Sequence, residues 1–443
     1  MPTTLLCGRV TLCYLIMACR CDLLIHSAAQ LVTCASPGGP KRGSAMREVN
    51  IIEGGALAIA DGHIVAVGTS HDVQADFDAP RRINAAGKVV CPGFVDPHTH
   101  LVYAGDRTAE WEMKLRGTPY LDILAAGGGI LSTMRATRQA TPGWLVEQAR
   151  ERLEAMFRNG TTTCEIKTGY GLSIEAELKM LITIEQVARA HPCGVTPTLL
   201  AAHAVPPEFK SDPGGYVDLV VEEIIPQSAE WFAHEARAAR AAPMACDVFC
   251  EANAFTVEQS RRVLMAGRRH GLAPKIHADQ FSSLGGLAMA LELGAVSCDH
   301  LDVTTAEDRA RLAQSSAIAT VLPAVNFHLG STQFADARAL IDAGCALALS
   351  TDHNPGSAPC FSLMLVMGLA CRYQKLTPAE ALNACTINAA HALGVGDVLG
   401  SLEAGKQADV LVVDVPDYRH LAYQFGVNPV ARVIKHGVEY AYR

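Results

Sequence analysis

The sequence predicts an α/β protein, a distorted (β/α)8 TIM barrel carrying a small β-sandwich domain built from both chain ends. Three observations predict it. Eight β-rich segments alternate with helical ones through the middle of the chain, and nearly all end in a polar or ionisable residue. Both ends are β-rich without that alternation, and chain termini often lie close together. A length of 443 residues, 49% hydrophobic and 19% charged, allows a barrel of about 250 residues plus a smaller domain and excludes a disordered chain.

In chain order, residues 1–20 read as an extension of uncertain role. Arg9 precedes an apolar stretch, residues 10–19, that is too short to span a bilayer but has signal-peptide length. Ile16-Met17-Ala18-Cys19 resembles a lipoprotein cleavage box imperfectly. Against export stand the lack of a positive cluster near Met1 and ten cysteines beyond Cys34, with no Cys-x-x-Cys pair. Reduced thiols in a cytoplasmic protein are the expectation. Residues 21–88 form the N-terminal part of the sandwich, with a strand-like run at Leu23-Leu24-Ile25 and a hairpin turning on Asp61-Gly62.

Residues 89–395 form the barrel. Its strands are expected at 89–98, 161–167, 195–203, 246–251, 274–279, 295–300, 317–322 and 346–352. Thr141 caps a helix that has Pro142 at its first position and Leu145, Ala149, Leu153 and Met156 along one face, and Gly160 ends it. Residues 396–443 supply the C-terminal part of the sandwich, including a pair of strands around His436-Gly437. With 37 Lys+Arg against 45 Asp+Glu the net charge is -8, which repels phosphate backbones and anionic membranes. A small molecule is therefore the expected partner, with no nucleic acid and no membrane.

The sharpest chemical signal is His98-Thr99-His100. Alternate residues of an extended segment point the same way, so the two imidazoles can address one metal ion. A lone His-x-His pair is weak evidence. This one closes the first barrel strand, where TIM barrels carry function. His277 at the end of strand five and Asp352 at the end of strand eight would raise the ligand count to four, and His203 and His300 share the same rim. Strand four ends in Cys250-Glu251 without a lysine to modify, so a single ion is favoured. Such an ion lowers the pKa of bound water to about 7, and Asp352 can accept the proton. No Gly-x-Ser-x-Gly elbow or Gly-x-x-x-x-Gly-Lys loop occurs, which removes support for acyl-enzyme and nucleotide chemistry. Gly127-Gly128-Gly129 reads as a loop.

Pro92-Gly93-Phe94 before His98-Thr99-His100, with His277, His300 and Asp352 following in order, resembles the amidohydrolase superfamily. Within it, Tyr103-Ala104-Gly105-Asp106-Arg107, Glu165-Ile166-Lys167-Thr168-Gly169-Tyr170, Ala202-His203-Ala204-Val205-Pro206-Pro207, His277-Ala278-Asp279-Gln280 and Thr351-Asp352-His353-Asn354-Pro355-Gly356-Ser357 are similar to the imidazolonepropionase family, over residues 21–443. The resemblance implies hydrolysis of 4-imidazolone-5-propanoate to N-formimidoyl-L-glutamate in histidine degradation. It implies one zinc or iron ion per subunit on His98, His100, His277 and Asp352, catalytic roles for Asp352, His300 and His277, and a homodimer. Arg107, Tyr170, His203 and Gln280 would contact the imidazolone propionate; Asn354, Gly356 and Ser357 would hold the far side of substrate or product. Some relatives carry Glu where Gln280 stands, and a Gln cannot act as a general base. An arginine fork suits the propionate carboxylate, although without the resemblance Arg107 reads equally well as a solvated charge. Two alternatives remain open on these residues: a deaminase of a cyclic amidine sharing the metal set, and a non-catalytic scaffold on the same barrel.

Overall fold

The computed structural model describes residues 18–118, 128–235 and 244–441. Most of the apolar N-terminal stretch, the Ile16-Met17 half of the cleavage-box resemblance, and Gly127 lie outside the described residues. Within them, Cys19–Arg20 already belongs to the fold, running parallel to Phe77–Asp78.

Eight parallel strands follow one another around a barrel: β1 (Phe94–Asp96), β2 (Thr161–Lys167), β3 (Gly194–Ala202), β4 (Ala245–Cys250), β5 (Ala273–Ala278), β6 (Ser297–His300), β7 (Ile318–Val321) and β8 (Ala346–Leu349). No ladder joins β8 to β1. That seam is closed just beyond the strands, by a parallel bridge between Thr99 and His353 and by the His100 N–H donating to the His353 carbonyl at 2.8 Å. The Asp96 carboxylate stitches the same seam, accepting from the Ser350 hydroxyl, from Thr351 N at 3.2 Å and from Thr351 Oγ1 at 2.6 Å.

The chain ends build a second eight-stranded sheet. Its strands are Leu23–Val32, Ile51–Ala60, His63–Thr69, Arg81–Asn84, Val89–Pro92, Val410–Val413, Val430–Lys435 and Val438–Ala441. It folds back on itself: Ile64 N donates to Lys406 O at 2.9 Å and Ala408 N to Gly62 O at 2.8 Å. The two-residue period of its strands sorts the side chains. Val90, Val410, Val412 and Ile434 fill the sheet's own core, whereas Val89, Cys91, Leu411, Val413 and Val433 pack into the barrel's.

The expected first barrel strand, residues 89–98, is in fact two strands in different sheets. Val89–Pro92 pairs with Val410–Val413 and Leu23–Val32, and only Phe94–Asp96 pairs with β2. Gly93 makes the joint, because a Cβ there would stand 2.2 Å from Thr162 Oγ1. Both halves are wholly buried, so hydrophobic pattern alone cannot divide them. The helix Pro142–Arg158 forms as expected, with the Thr141 hydroxyl accepting from Trp144 N at 3.3 Å. Among the described residues no helix is long and apolar enough to cross a membrane, and every described cysteine is a free thiol.

Gly93→Ala is expected to cost about 1–3 kcal/mol through overpacking against Thr162. The loss would be read as a lower apparent Tm, partly restored by adding Thr162→Ala.

Candidate metal centre

Strands β1, β5, β6 and β8 bring five ionisable side chains to one end of the barrel. His98 and His100 follow β1, His277 lies in β5, His300 ends β6 and Asp352 follows β8; all five are buried. The Nε2 atoms of His98 and His100 are 3.4 Å apart, and Asp352 Oδ1 lies 3.6 Å from the first and 3.4 Å from the second. The His277 ring centroid is 4.5 Å from that of His98 and 5.1 Å from that of His300. One donor atom each from His98, His100 and His277 falls within 4.8 Å of the others, and the same holds for His98, His300 and Asp352. His300 and Asp352 have left-handed backbones, φ +81° and +49°, which side-chain-bearing residues adopt uncommonly.

Beneath this cluster lies a charge lattice that the sequence reading missed. Lys167 Nζ meets Asp247 at 2.6 Å and Glu165 at 2.9 Å, while Lys275 Nζ meets Glu165 at 2.8 Å and the Pro97 carbonyl at 3.0 Å. The lattice holds the histidines from behind. Asp299 Oδ2 is 2.7 Å from His98 Nδ1, and Asp247 Oδ2 is 3.0 Å from His277 Nδ1. A proton kept on His98 Nδ1 leaves the Nε2 lone pair of that ring free to ligate. Burial works to raise the Asp247 carboxyl, but His277 and Lys167 outweigh it and hold it well below the usual carboxylate range. The available signal was an ionisable residue inside a buried parallel strand, as at Glu165, Lys167, Asp247, Lys275 and Asp299, where such residues are seldom found unpaired.

The cluster fits one metal ion. His277 Nε2 and Asp352 Oδ1 are buried without a hydrogen-bond partner, an uncommon condition for polar atoms. Burial, reinforced by neighbouring positive groups, pushes His98, His100 and His300 well below the usual imidazole range and so keeps them neutral donors. Burial also pushes the Asp352 carboxyl well up, and a cation at this point is what would keep it ionised. Three imidazoles and one carboxylate are an ordinary donor set for a catalytic divalent ion.

Around the cluster, His203 stacks on His100 at 5.2 Å between centroids, and Tyr170 is 5.5 Å from His203 and 5.9 Å from His100. Burial lowers the His203 pKa to about 3. Glu177 fixes the loop carrying Tyr170, accepting from the N–H groups of Gly169, Gly171 and Leu172. Gln280 is half-buried in a loop that Glu251 holds through Phe281 N at 2.9 Å and Ser282 N at 3.2 Å. Arg107 is half-buried and donates from Nε to Thr133 Oγ1 at 3.0 Å. Asn354, Gly356 and Ser357 come together as one turn whose polar groups engage each other. Asn354 Oδ1 accepts from Gly356 N and Ser357 N, both at 2.8 Å, and its Nδ2 donates to the Asp352 carbonyl at 2.8 Å.

Residues 257–439 match the amidohydrolase family. The chain is 56% identical over 417 residues to an imidazolonepropionase of Chloroflexus aggregans, covering 94% of this chain and 98% of that protein. It is 47% identical over 416 residues to an imidazolonepropionase of Herpetosiphon aurantiacus, covering 94% and 96%. Among solved structures, the fold is similar to a guanine deaminase of E. coli, with TM-score 0.71, 16% identity and coverage of 95% of this chain and 99% of that one. It is also similar to a zinc-bound adenosine deaminase of Xanthomonas campestris, with TM-score 0.68, 21% identity and coverage of 96% and 93%.

Asp299→Asn tests the support behind the cluster. The new amide would donate to His98 Nδ1 and drive the ring proton to Nε2, the ligating atom. Metal affinity, measured by chelator competition, is expected to fall about 10–100-fold with the fold retained.

Proposed function

The chain belongs to the imidazolonepropionase family of the amidohydrolases, and we propose how its residues divide the work of that family's reaction. The enzyme hydrolyses the cyclic amide of 4-imidazolone-5-propanoate to N-formimidoyl-L-glutamate in histidine degradation. Held by His98, His100, His277 and Asp352, one zinc or iron ion would polarise the ring carbonyl and acidify water.

The chain's own residues do the rest. Water attacks the ring carbonyl carbon; Asp352 accepts its proton and returns it to the ring nitrogen as the C–N bond breaks. His300, kept neutral by burial beside the cluster, orients that water or relays its proton. Tyr170 and His203 bound the imidazolone ring, with Gln280 as a hydrogen-bonding partner that cannot serve as the base. Arg107 forks onto the propionate carboxylate. The Asn354, Gly356 and Ser357 turn forms the far wall. The observation carrying this assignment is the clustering of donor atoms from His98, His100, His277 and Asp352 beside Tyr170 and His203.

A cytoplasmic homodimer completes the proposal. The free thiols of the described cysteines support the first part. Tyr423, Phe425 and Val427, exposed together at 74%, 74% and 59%, offer an apolar patch for the second.

The test is the ultraviolet decay of imidazolone propionate with purified enzyme, alongside elemental analysis. Turnover that disappears on chelation and returns with zinc or iron is expected; ammonia release from a purine or pyrimidine, with imidazolone propionate left intact, would select the deaminase reading. Asp352→Asn should lower kcat by about 10²–10⁴-fold while part of the metal stays bound, because an amide oxygen can still coordinate but cannot take a proton.

A further inference from the structure

We propose that Thr133 and Gly356 aim Arg107 at the substrate carboxylate, which makes the helix Ile130–Gln139 the element that sets specificity. The inference rests on Arg107 meeting that carboxylate. Thr133 is 3% exposed, and its hydroxyl takes the Arg107 Nε proton at 3.0 Å. With Nε engaged, the two terminal NH2 groups remain as the pair of parallel donors that a carboxylate fits. On another side the guanidinium lies against Gly356, where a Cβ would stand 2.3 Å from Nη1 and 2.7 Å from Cζ. Gly356 is not left-handed, so the requirement for glycine here is space. A long cation held at two points loses less freedom when a ligand arrives than one sweeping through solvent.

The helix that carries Thr133 also registers the neighbouring loops. Thr137 Oγ1 accepts from Ala104 N at 3.1 Å, three residues before Arg107. Arg138 donates to the carbonyls of Gly171 at 2.7 Å and Leu172 at 2.9 Å, immediately after Tyr170. Lys179 Nζ fixes the helix end through the carbonyls of Thr137, Arg138 and Ala140 at 2.8, 2.9 and 3.0 Å. One strut thus spaces the residue proposed for the carboxylate from the residue proposed for the ring.

Double-mutant cycles on imidazolone propionate kinetics test the inference, each variant being checked for metal content and thermal melting. Thr133→Val should raise KM about 10-fold with kcat changed less than about twofold, as expected for a contact made equally in ground and transition states. Thr133→Ser, which keeps the hydroxyl, should recover most of the loss. In an Arg107→Ala background Thr133→Val should change kcat/KM less than about twofold, since it acts through a side chain no longer present. Gly356→Ala gives a second route should Thr133→Val fold poorly. It should cost at least about 10-fold with Arg107 in place, and that loss should shrink at least about threefold once Arg107→Ala has cleared the space. Equal losses in both backgrounds would make Thr133 and Gly356 merely structural and overturn the inference. Wild-type kinetics for Arg107→Ala alone would instead overturn the carboxylate assignment beneath it.

Discussion

Two buried lysines set against three buried carboxylates are the constraint on which the rest of the site depends. Lys167, Lys275, Glu165, Asp247 and Asp299 are all at most 1% exposed. Each would cost several kcal/mol to bury alone, and each is tolerable only because the others are there. An apolar barrel floor would be cheaper to build, but it could not accept the Nδ1 proton of His98 or set a carboxylate beside His277. The lattice carries one more negative charge than positive, and Asp352 above it adds another when ionised. That surplus matches a divalent cation at the point where the imidazoles converge.

The same region explains why the barrel is distorted. A continuous ladder between β8 and β1 would carry regular strand geometry up to the rim, where alternate side chains would stand in register. Instead Asp96 reaches across and ties Ser350 and Thr351 to β1, and the backbone contact is deferred to Thr99, His100 and His353. Ser350 Oγ also lies 2.8 Å from the His98 carbonyl. The seam therefore sets the spacing between His98, His100 and Asp352, all of which lie within two residues of its stitches.

Much of this was legible in the sequence, for identifiable reasons. The His98 and His100 pair, His277, His300 and Asp352 sit at or just past strand ends, and a parallel barrel brings such positions together whatever its helices do. The Thr141 cap was readable because capping is local chemistry. The division of residues 89–98 between two sheets was not, because it follows from the close approach of Gly93 to Thr162, a contact between residues far apart in the chain. The lattice was hidden for a related reason. Lys167 and Lys275 show no partner in the sequence until the topology puts Asp247 and Glu165 beside them. Likewise the way the Asn354 amide organises its own turn depends on loop geometry that residue identity does not display.

Floor and rim are built by different means, and this bears on how one barrel can host different reactions. The ligand cluster rests on buried strand residues locked by mutual charge, where a single substitution strands a partner. The rim rests on polar staples between loops: Glu177 under Tyr170, Glu251 under the loop of Gln280, and Thr133 beside Arg107. A staple can be exchanged without disturbing the lattice, since its hydrogen bonds end on loop backbone or on the rim side chain itself. Solved deaminases at 16–21% identity share the architecture over more than nine-tenths of this chain, yet fold alone does not transmit their chemistry. On the proposed assignment the discriminating information lies in the loops after β1, β2, β5 and β8, where a fixed cation at Arg107 would favour a substrate that brings its own carboxylate.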